Sequence, residues 1–493
     1  MKVCLIQPPA NLGNSNPCLP DDAYGLGILS LSQFLRSRGV EVETFHFANL
    51  LREGLTPDEL VELVAFHKPA LVGISLNWLH FSRGCLQMAQ LVKKRLPDVK
   101  IVVGGHHATL FAEEILTKYG QHIDAVAVGE AEKALGAACQ ALASMEGPDR
   151  PIPGFVDKDP CGKIRFSNPE VMENLDELPP LSYLSVKPPK KKYTVSIDPD
   201  FTAAFYGCRG KCPRNCKYCL ESHKVSLPTA RPALVFHSPS WIIRQIEKLL
   251  REGICSFTVQ DPLFVCGDEA IWALSKMIEG KKIKIKRFNL SAEPGSLGRE
   301  GLQALARCAE YASIDYGVET GSERVAAMIG RMQKNALILD AIDAAIDAGI
   351  SVRTWWMTGL PGDNPEALKE MEEFIVETMS RGAVPRWITP LILFPHTELY
   401  RNAQQYGIKP LFHTFEDFMR FSDVRANPLG VYPDLITHET DELDKVGIVK
   451  YTFHLKEYVV SKLDLLRDFY RKNRLREPLN LDMIRYNILY SFF

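Results

Sequence analysis

The stretch YGCRGKCPRNCKYC, residues 206–219, contains four of the chain's twelve cysteines. The last three of them, Cys212, Cys216 and Cys219, have the spacing Cys-x3-Cys-x2-Cys. Three thiolates that short loops fold back on one another can hold three irons of a [4Fe–4S] cube and leave the fourth iron open. The spacing therefore predicts an iron–sulfur site whose open iron binds a further ligand.

The same loop allows two other interpretations. Four cysteines with the nearby His223 can also hold a structural zinc ion, although zinc knuckles usually draw on two separated cysteine pairs. A different set of cluster ligands, Cys208, Cys212 and Cys216, is also possible. We favour Cys212, Cys216 and Cys219 as the ligands and treat Cys208 as a spectator thiol, because a fourth cysteine ligand would block the open iron. Its alternatives are an auxiliary ligand or a redox partner.

The composition excludes several classes of protein. A length of 493 residues predicts two to four domains, and 46% hydrophobic with 24% charged residues is usual for a globular protein. A net charge of −2 gives no reason to expect a nucleic-acid partner. The apolar start of the chain is too short for a signal peptide or a membrane span. Together with scattered cysteines, these features predict a cytoplasmic protein without a disulfide framework.

Residues 1–145 alternate between short β-branched runs and amphipathic stretches of helix length. This pattern predicts a parallel sheet with helices on both faces, in which a ligand binds at the carboxyl ends of the strands. A doubly wound domain without any ligand is the alternative. The predicted strands are residues 3–7, 40–45, 70–76, 100–103 and 125–128.

The alternation resumes in residues 194–408. Six strand and helix units predict a partial parallel barrel that is open on one side, with its active site at the carboxyl ends of the strands. The cysteine loop follows the first of these strands, so it is expected at that face. The predicted strands are residues 202–206, 255–259, 285–291, 313–318, 352–357 and 388–393.

Two further segments complete the predicted organisation. Residues 146–193 are rich in proline and turn residues, which indicates a connection between domains. Residues 409–493 carry many aromatic residues with helical spacing, which predicts a small helical cap over the open side of the barrel. A direct role of these aromatic residues in substrate binding is the alternative. Basic residues of the tail, such as Arg467 and Arg471, are expected to face water.

Three strand-end motifs stand out in residues 1–145, namely Pro-Pro after the first predicted strand, Gly-Gly-x-His-x-Thr after the fourth and Gly-Glu-x-Glu after the fifth. They resemble the cobalamin-binding domain of cobalamin-dependent radical S-adenosylmethionine (SAM) enzymes. The resemblance implies that cobalamin binds there without a histidine ligand to cobalt, since the Asp-x-His-x-x-Gly motif is missing from this sequence. His107 is then either a pocket residue or a structural one. The residues expected to contact cobalamin are Pro8, Pro9, Ser75, Asn77, Gly104, Gly105, His106, Thr109, Gly129 and Glu130.

The second half resembles the catalytic barrel of the same family. Tyr218 precedes the last cluster cysteine, the segments 317–320 and 358–363 resemble the family's strand-end motifs, and His396 stands where that family usually has glycine. The resemblance implies that a carboxylate at a strand end and nearby glycines contact SAM. The residues expected at the SAM site are Tyr218, Glu293, Glu319, Thr320 and Pro361.

This resemblance implies an enzyme with three cofactors, namely a [4Fe–4S] cluster, SAM and cobalamin. The implied reaction is C-methylation, in which a 5′-deoxyadenosyl radical activates a substrate C–H bond and methylcobalamin donates the methyl group. The alternatives are a non-methylating cobalamin radical enzyme, such as a cyclase or a ring-contracting enzyme, and a non-catalytic zinc or iron–sulfur binding protein. The expected partners are a small-molecule or peptide substrate and an external electron donor, while the oligomeric state is open.

Overall fold

The computed structural model describes residues 1–13, 24–144, 151–188, 202–223, 231–261, 267–423, 432–473 and 479–490. Its contacts divide the chain into two compact units. The first unit contains Met1–Phe201, Lys224–Pro232 and His413–Ala426, and the second contains Thr202–His223, Ala233–Phe412 and Asn427–Phe493. Among the described residues, no helix is both long enough and apolar enough to cross a membrane.

Before residue 189, the described residues of the first unit form eight strands and seven helices. The strands are β1 (Lys2–Gln7), β2 (Glu41–His46), β3 (Leu71–Ser75), β4 (Lys100–Gly104), β5 (Ala125–Ala127), β6 (Phe155–Lys158), β7 (Ile164–Phe166) and β8 (Val186–Lys187). The helices are α1 (Leu26–Ser37), α2 (Phe47–Arg52), α3 (Pro57–Phe66), α4 (Ser82–Arg95), α5 (His106–Leu110), α6 (Ala112–Tyr119) and α7 (Glu132–Ala143), with 3₁₀ turns at Leu79–Phe81 and Leu175–Glu177.

These strands form one sheet in the order β7-β6-β5-β4-β3-β1-β2-β8. The six neighbouring strands β5, β4, β3, β1, β2 and β8 pair in parallel. At one edge of the sheet, β6 pairs antiparallel with β5, and β7 pairs antiparallel with β6. Val3 to Ile6 of β1 are all buried, as expected for a central strand with helices on both faces. The order reverses at β1, whose neighbours are β3 and β2, so the topological switch point lies at the carboxyl ends of β1 and β3.

The segment 146–193 differs from the plain connection that its prolines suggest. Phe155 and Val156 of β6 are buried against β5, and Val186 of β8 pairs with Thr44 of β2. Short runs of this kind extend a sheet edge because their apolar side chains gain burial that a solvated linker would not give. Lys191 and the neighbouring charged residues lie outside the described residues.

The second unit begins with the strands and helices of the predicted barrel. The strands are β9 (Thr202–Phe205), β10 (Cys208–Arg209), β11 (Val235–Phe236), β12 (Ser256–Val259), β13 (Arg287–Ala292), β14 (Tyr311–Glu319), β15 (Ser351–Thr358), β16 (Val384–Pro390) and β17 (Ile408–Pro410). The helices are α8 (Leu220–His223), α9 (Pro239–Arg251), α10 (Gly267–Gly280), α11 (Arg299–Arg307), α12 (Glu323–Met328), α13 (Asn335–Asp347), α14 (Pro365–Ser380) and α15 (Glu398–Arg401), with a 3₁₀ turn at Ala403–Tyr406.

Six of these strands form a parallel sheet in the order β16-β15-β14-β13-β12-β9, which follows the chain. Five predicted strands are confirmed to within a few residues. The sixth begins at Val384 rather than at residue 388. Pro385 makes this stretch look unlike a strand, but it is tolerated because β16 ends the described sheet. Leu391 and Leu393, which the pattern assigned to the strand, belong instead to a buried cluster beyond its end.

The remaining elements follow residue 411. They are α16 (Phe415–Met419), β18 (His438–Thr440), α17 (Lys445–Ser461), α18 (Asp464–Asn473) and α19 (Leu481–Tyr490), with 3₁₀ turns at Arg420–Asp423 and Pro433–Leu435. Both α17 and α19 pack against β16, and β18 pairs with β17. A mainly helical C-terminal part at the open edge of the barrel sheet therefore agrees with the prediction. Arg474, Arg476, Phe492 and Phe493 lie outside the described residues.

The aromatic residues at the start of the predicted cap have another location. The segment that holds Phe415, Phe418 and Phe421 belongs to the first unit. Lys118 forms ion pairs with Glu114 and Glu416, and Arg83 pairs with Asp423. The spacing of the aromatic residues alone cannot distinguish a cap of the barrel from a segment of the first unit, because the same aromatic side chains are buried in either case.

Candidate active site

The cysteine loop of the second unit starts at a buried aspartate. The Asp261 carboxylate accepts hydrogen bonds from the N–H groups of Gly207 (2.9 Å) and Cys208 (3.1 Å). The Cys208 side chain also hydrogen-bonds to Asp261, and Cys208 pairs with Phe236 in a two-stranded ladder. Burial raises the pKa of Asp261 to about 7. Cys208 is therefore held by β10 and by Asp261, before the loop of the other three cysteines begins.

The three predicted cluster cysteines follow on one short loop. The Cys212 N–H donates to the Glu221 carbonyl (3.0 Å), and the Cys219 N–H donates to the Cys216 carbonyl (3.1 Å), so the loop folds back on itself. Burial raises the pKa of Cys212, and it raises that of Cys219 to about 12. Both thiols are therefore protonated when no metal is bound, and cluster assembly has to release their protons.

The donor set fits a [4Fe–4S] cube. Such a cube takes one thiolate per iron, so its cysteines surround a volume and do not converge on a point. Cys216 lies close enough to Cys212 and to Cys219 that, besides burial, its charge raises the pKa of both thiols, so the three cysteines are neighbours on the loop. The Arg331 guanidinium donates to the Cys216 sulfur (3.8 Å), so a cationic side chain lies beside the cysteine loop. The side chain of His223, the further ligand in the zinc interpretation, lies outside the described residues.

The loop is anchored to two helices through Lys217. The Lys217 N–H donates to the Ile329 carbonyl (3.0 Å), and its carbonyl accepts from the Leu399 N–H (3.1 Å). The neighbouring Gly330 has φ +79°, and a Cβ atom there would lie 2.4 Å from the Asn215 carbonyl oxygen. Only glycine allows the end of α12 to approach the cysteine loop this closely.

Tyr218 and Glu319 meet beside the cluster loop. The Tyr218 hydroxyl hydrogen-bonds to the Glu319 carboxylate, and its ring packs on the buried cluster that includes Leu360 and Leu393. Burial raises the pKa of Glu319, against the opposing effect of Arg331 and of the Tyr218 hydroxyl. Glu319 has φ +72°. A non-glycine residue with this backbone conformation is uncommon and is often found at a functional site.

Arg331 connects this pair to the cluster loop. Besides its contact with Cys216, its guanidinium donates to the Gly317 carbonyl and lies close to Glu319. A Cβ at Gly317 would lie 2.6 Å from a Glu319 carboxylate oxygen, so glycine is required for the carboxylate to occupy this position. Arg331 was not among the predicted residues, because a lone arginine twelve residues after a strand-end glutamate has no distinctive local pattern.

Two other predicted SAM residues lie at neighbouring strand ends. The Glu293 carboxylate, which follows β13, forms an ion pair with Arg214 of the cysteine loop. Thr320 is buried and its hydroxyl accepts a hydrogen bond from the Ser322 N–H (3.2 Å). The structure thus brings Tyr218 and Glu319 into direct contact and places Glu293 against the cysteine loop, while the Thr320 hydroxyl has a local structural partner.

Pro361 lies in a turn that buried groups hold in place. The Asp363 carboxylate accepts a hydrogen bond from the Leu360 N–H (3.0 Å), and the His438 Nε2 lies 2.6 Å from the Gly359 carbonyl oxygen. Burial raises the pKa of Asp363 to about 7 and lowers that of His438 to about 4. The neutral imidazole therefore donates from Nε2 to the carbonyl. His396, in the last strand-end loop, has φ +70°, the conformation that explains why glycine is usual at such a position.

The first unit has polar groups at its switch point. Gln7 ends β1, Ser75 ends β3, and a Cβ at Gly25 would lie 2.6 Å from the Gln7 Oε1 atom and 3.6 Å from the Ser75 hydroxyl. Gln7 is buried, and its Oε1 has no hydrogen-bond partner among the described residues. A buried acceptor without a donor is costly unless a ligand or water supplies one, so the Gln7 amide oxygen fits a ligand that carries hydrogen-bond donors. Gln7 was not among the predicted contacts.

The loops after β3 and β4 interlock closely. The Asn77 Oδ1 accepts from the His106 N–H (3.3 Å), and the Asn77 carbonyl accepts from the His107 N–H (3.2 Å). Gly105 has φ +124°, and a Cβ there would lie 2.8 Å from the Asn77 backbone. The Thr109 hydroxyl accepts from the Gly129 N–H (3.1 Å), which ties the loop after β5 to the same group. The His106 side chain is exposed at this edge.

The other predicted cobalamin residues divide into two groups. Pro8 and Pro9 are buried, and a Cβ at Gly84 of α4 would lie 1.8 Å from the Pro9 carbonyl oxygen, so this turn packs directly on the helix. The Glu130 carboxylate forms an ion pair with Arg231, which is itself buried and also donates to the Met172 carbonyl. Glu130 is therefore engaged within the protein.

His107 has the surroundings of a structural residue. Its ring packs against Phe111, Phe415 and Phe418 at centroid distances of 5.0, 5.5 and 6.0 Å. Burial, and to a smaller extent His80, lowers the pKa of His107 to about 3, and neither ring nitrogen has a partner among the described residues. His107 is neutral in this aromatic environment, which favours the structural alternative.

Comparison with known proteins identifies both halves of the chain. Residues 17–138 match the family model described as the B12 binding domain, and residues 209–375 match the model described as the radical SAM superfamily. The second match begins within the cysteine loop and extends into α14, so it includes Tyr218, Glu293, Glu319 and Pro361.

Similar curated proteins span most of the chain. An uncharacterised methyltransferase of Pyrococcus horikoshii is 24% identical over 411 residues, which cover 82% of this chain and 83% of that protein. Cytidylyl-2-hydroxyethylphosphonate methyltransferase of Streptomyces wedmorensis is 23% identical and covers 75% of this chain and 76% of its own. Anaerobic magnesium-protoporphyrin IX monomethyl ester cyclase of Rubrivivax gelatinosus is 23% identical, over 76% of this chain and 64% of that protein.

Solved structures share the fold. The radical SAM methyltransferase TsrM from Kitasatospora setae superimposes with a TM-score of 0.67 at 16% identity, over 92% of this chain and 88% of TsrM. The cobalamin-dependent SAM radical enzyme OxsB superimposes with a TM-score of 0.66 at 15% identity, over 100% of this chain and 79% of OxsB. One chain thus carries a B12-binding domain followed by a radical SAM domain, which is the domain arrangement of the cobalamin-dependent radical SAM enzymes.

Proposed function

We propose that this protein is a C-methyltransferase that uses a [4Fe–4S] cluster, SAM and cobalamin to methylate an unactivated carbon. The observation that carries the proposal is the group Tyr218, Glu319 and Arg331, which joins the Cys-x3-Cys-x2-Cys loop to a strand end of the barrel. The accompanying B12-binding domain and the methyltransferases among the similar proteins favour methyl transfer as the outcome.

When bound, the cluster and SAM supply the one-electron chemistry that removes a substrate hydrogen, and cobalamin supplies the methyl group. Cys212, Cys216 and Cys219 would bind the cluster, and the Arg331 guanidinium would offset the thiolate charge at Cys216. Glu319 and Glu293 are the carboxylates proposed to receive the SAM amino group or ribose hydroxyls. Each carboxylate already has an arginine close by, so the carboxylates are held in position before SAM binds.

The first unit would bind cobalamin at its switch point. Gln7 and Ser75 would offer polar contacts to the cofactor, while Gly105 and Asn77 shape the neighbouring loop. Thr109 and Gly129 would act mainly by fixing the loops, since they hydrogen-bond to each other. We further propose a cytoplasmic enzyme with an external electron donor and no nucleic-acid partner.

The test is anaerobic reconstitution with iron, sulfide and cobalamin, followed by SAM and a reductant. Mass spectrometry should detect 5′-deoxyadenosine and S-adenosylhomocysteine, and the Cys212→Ala, Cys216→Ala and Cys219→Ala variants should form no deoxyadenosine. Cys208→Ala is the matched control and should retain SAM cleavage. Bound zinc, no bound cobalamin and intact SAM would overturn the proposal and leave a metal-binding protein without this activity.

A cyclase is the second candidate, because the anaerobic magnesium-protoporphyrin cyclase is similar over 76% of this chain. The two candidates differ in the product and not in the cofactors. Once a substrate is found, the product of a methyltransferase carries one more carbon than the substrate and is accompanied by S-adenosylhomocysteine. A product with the same carbon count and no S-adenosylhomocysteine would favour the cyclase.

A further inference from the structure

The two faces of β15 have different surroundings. Thr354, Trp356 and Thr358 are buried, Trp356 contacts Phe374 of α14, and the Thr358 hydroxyl contacts Thr452 of α17. These residues point to the helices outside the sheet. Side chains alternate along a strand, so Arg353, Trp355 and Met357 point to the inner face of the barrel sheet.

Contacts across the sheet confirm which residues share the inner face. The Asp315 carboxylate of β14 pairs with Arg353 (2.6 Å) and accepts a hydrogen bond from Asn289 of β13 (2.9 Å). Arg386 of β16 lies 3.8 Å from the same carboxylate. The side chains of Arg353 and Arg386 remain 24% and 33% exposed beside this carboxylate.

Above this charged layer lies an aromatic one. Trp355 stacks on Trp387 of β16, with ring centroids 5.7 Å apart and an angle of 26° between the rings. Trp355 is 39% exposed, although the large side chain on the other face, Trp356, is only 1% exposed. A tryptophan that remains this exposed inside a sheet face has apolar surface available for a ligand.

The aromatic layer adjoins the proposed SAM residues. Trp355 pairs in register with Gly317 of β14, which has no side chain. The Glu319 carboxylate occupies the space that a side chain at position 317 would fill. Met357, the next inner-face residue of β15, packs against the cluster that also contacts Tyr218. The exposed side chain of Trp355 therefore lies on the same face of the sheet as these residues and next to them along the strand.

We infer that Trp355 and Trp387 bind the substrate, and that the substrate combines a flat, apolar ring system with an anionic group that Arg386 recognises. This inference rests on the proposed function, because it assigns a substrate class to the same barrel. A flat ring stacks on the tryptophan pair, while Arg386, whose side chain is 33% exposed, donates hydrogen bonds to a carboxylate or phosphate. Trp355 and Arg386 are thus specificity-determining residues.

The test is calorimetric binding of 1-naphthoate to the reconstituted holoenzyme, with uncharged 1-naphthylmethanol as the comparison. Trp355→Ala should weaken naphthoate binding by about tenfold or more, while Trp355→Phe should restore most of it. Arg386→Gln should weaken naphthoate binding and leave naphthylmethanol binding unchanged. The matched control is Trp272→Ala, since Trp272 is 48% exposed on α10 and should have no effect.

Iron content should stay at the wild-type value in every variant, which shows that a loss of binding does not reflect unfolding of the cysteine loop. The inference is overturned if wild-type enzyme does not bind naphthoate, or if Trp355→Ala binds it as the wild type does. Deoxyadenosine formation from SAM is measured in the same preparations. Its absence in the wild type contradicts the proposed function, whereas intact SAM cleavage without naphthoate binding contradicts only this inference.

Discussion

Cys208 differs from the other cysteines of its loop in the contacts that hold it. Its N–H and its side chain both interact with Asp261, and its backbone pairs with β11. Cys216 instead receives a hydrogen bond from Arg331, and Cys212 and Cys219 lie in the folded-back part of the loop. At the scale of single residues, these contacts separate a thiol with a structural environment from three thiols on one folded-back loop.

This difference gives the first prediction. Cys208→Ala should keep the iron content and the visible absorbance of the reconstituted cluster near wild-type values, because the Asp261 contacts to the backbone N–H groups remain. Cys216→Ala should lose the cluster, since only two thiolates remain for three irons. Iron and sulfide analysis after anaerobic reconstitution measures both. Equal loss in the two variants would show that Cys208 is a ligand.

Asp363 gives a pH-dependent prediction. Burial raises its pKa from 3.8 to about 7, so the folded protein keeps this proton over a pH range where the unfolded chain has lost it. The native state then binds more protons than the unfolded state, and stability falls as the pH rises from about 4 to about 7. Asp363→Asn cannot ionise, and its amide oxygen can still accept from the Leu360 N–H.

Thermal unfolding measured from pH 5 to pH 8, a range that extends from about two units below the raised pKa to about one unit above it, tests this point. The wild type should lose stability over the range, and the variant should lose less, with a difference of at most about 3 kcal/mol. Asp261 is present in both proteins, so its own raised pKa cancels in the comparison. Parallel curves for the two proteins would show that Asp363 does not titrate in this interval.

At the scale of elements, the contact between α12 and the cysteine loop depends on Gly330. Gly330 and Gly349 have nearly the same backbone conformation, with φ +79° and +81°. A Cβ at Gly349 meets nothing within 4 Å, whereas a Cβ at Gly330 would lie 2.4 Å from the Asn215 carbonyl oxygen. Comparing alanine substitutions at these two glycines therefore separates the loss of stability caused by the backbone conformation from the loss caused by displacing the cysteine loop.

Gly349→Ala should destabilise the protein by about 1–2 kcal/mol, the usual cost of a left-handed conformation with a side chain. Gly330→Ala should cost more and should also lower the iron content, because the cysteine loop has to move away from α12. Denaturant unfolding and iron analysis of both variants measure the two effects. A Gly330→Ala protein with full iron content and the stability of Gly349→Ala would mean that the contact is dispensable.

Elements also show what could be predicted from the sequence. The strands β1, β4 and β15 were predicted to within one or two residues because β-branched runs between helical stretches have a clear period. The start of β16 was missed because Pro385 disguises it, and β6 and β8 were missed because they are short and lie among prolines. Tyr218 and Glu319 were predicted from motifs. Arg331, Gln7 and the Trp355–Trp387 pair were not, since only the folded sheet brings them to their sites.

For the whole molecule, the important point is that the two sets of cofactor residues lie in separate compact units. The residues proposed for cobalamin lie in the first unit, and those proposed for the cluster and SAM lie in the second. Each set depends on glycines that hold its own loops together. A change that disturbs one set should therefore leave binding at the other intact, even though the complete reaction needs both.

Gly105→Ala is the variant that tests this separation. A Cβ at this position would lie 2.8 Å from the Asn77 backbone, so the loops after β3 and β4 cannot keep their arrangement, and the variant should retain little cobalamin after desalting. Its iron content should stay near the wild-type value. Gly39→Ala is the control, since Gly39 has φ +79° in the same unit and a Cβ there meets nothing within 4 Å. Cys216→Ala should show the reverse pattern, with cobalamin retained and iron lost. If Gly105→Ala lost iron as readily as cobalamin, the two sites would depend on each other for folding, and the separate roles assigned to the two units would be wrong.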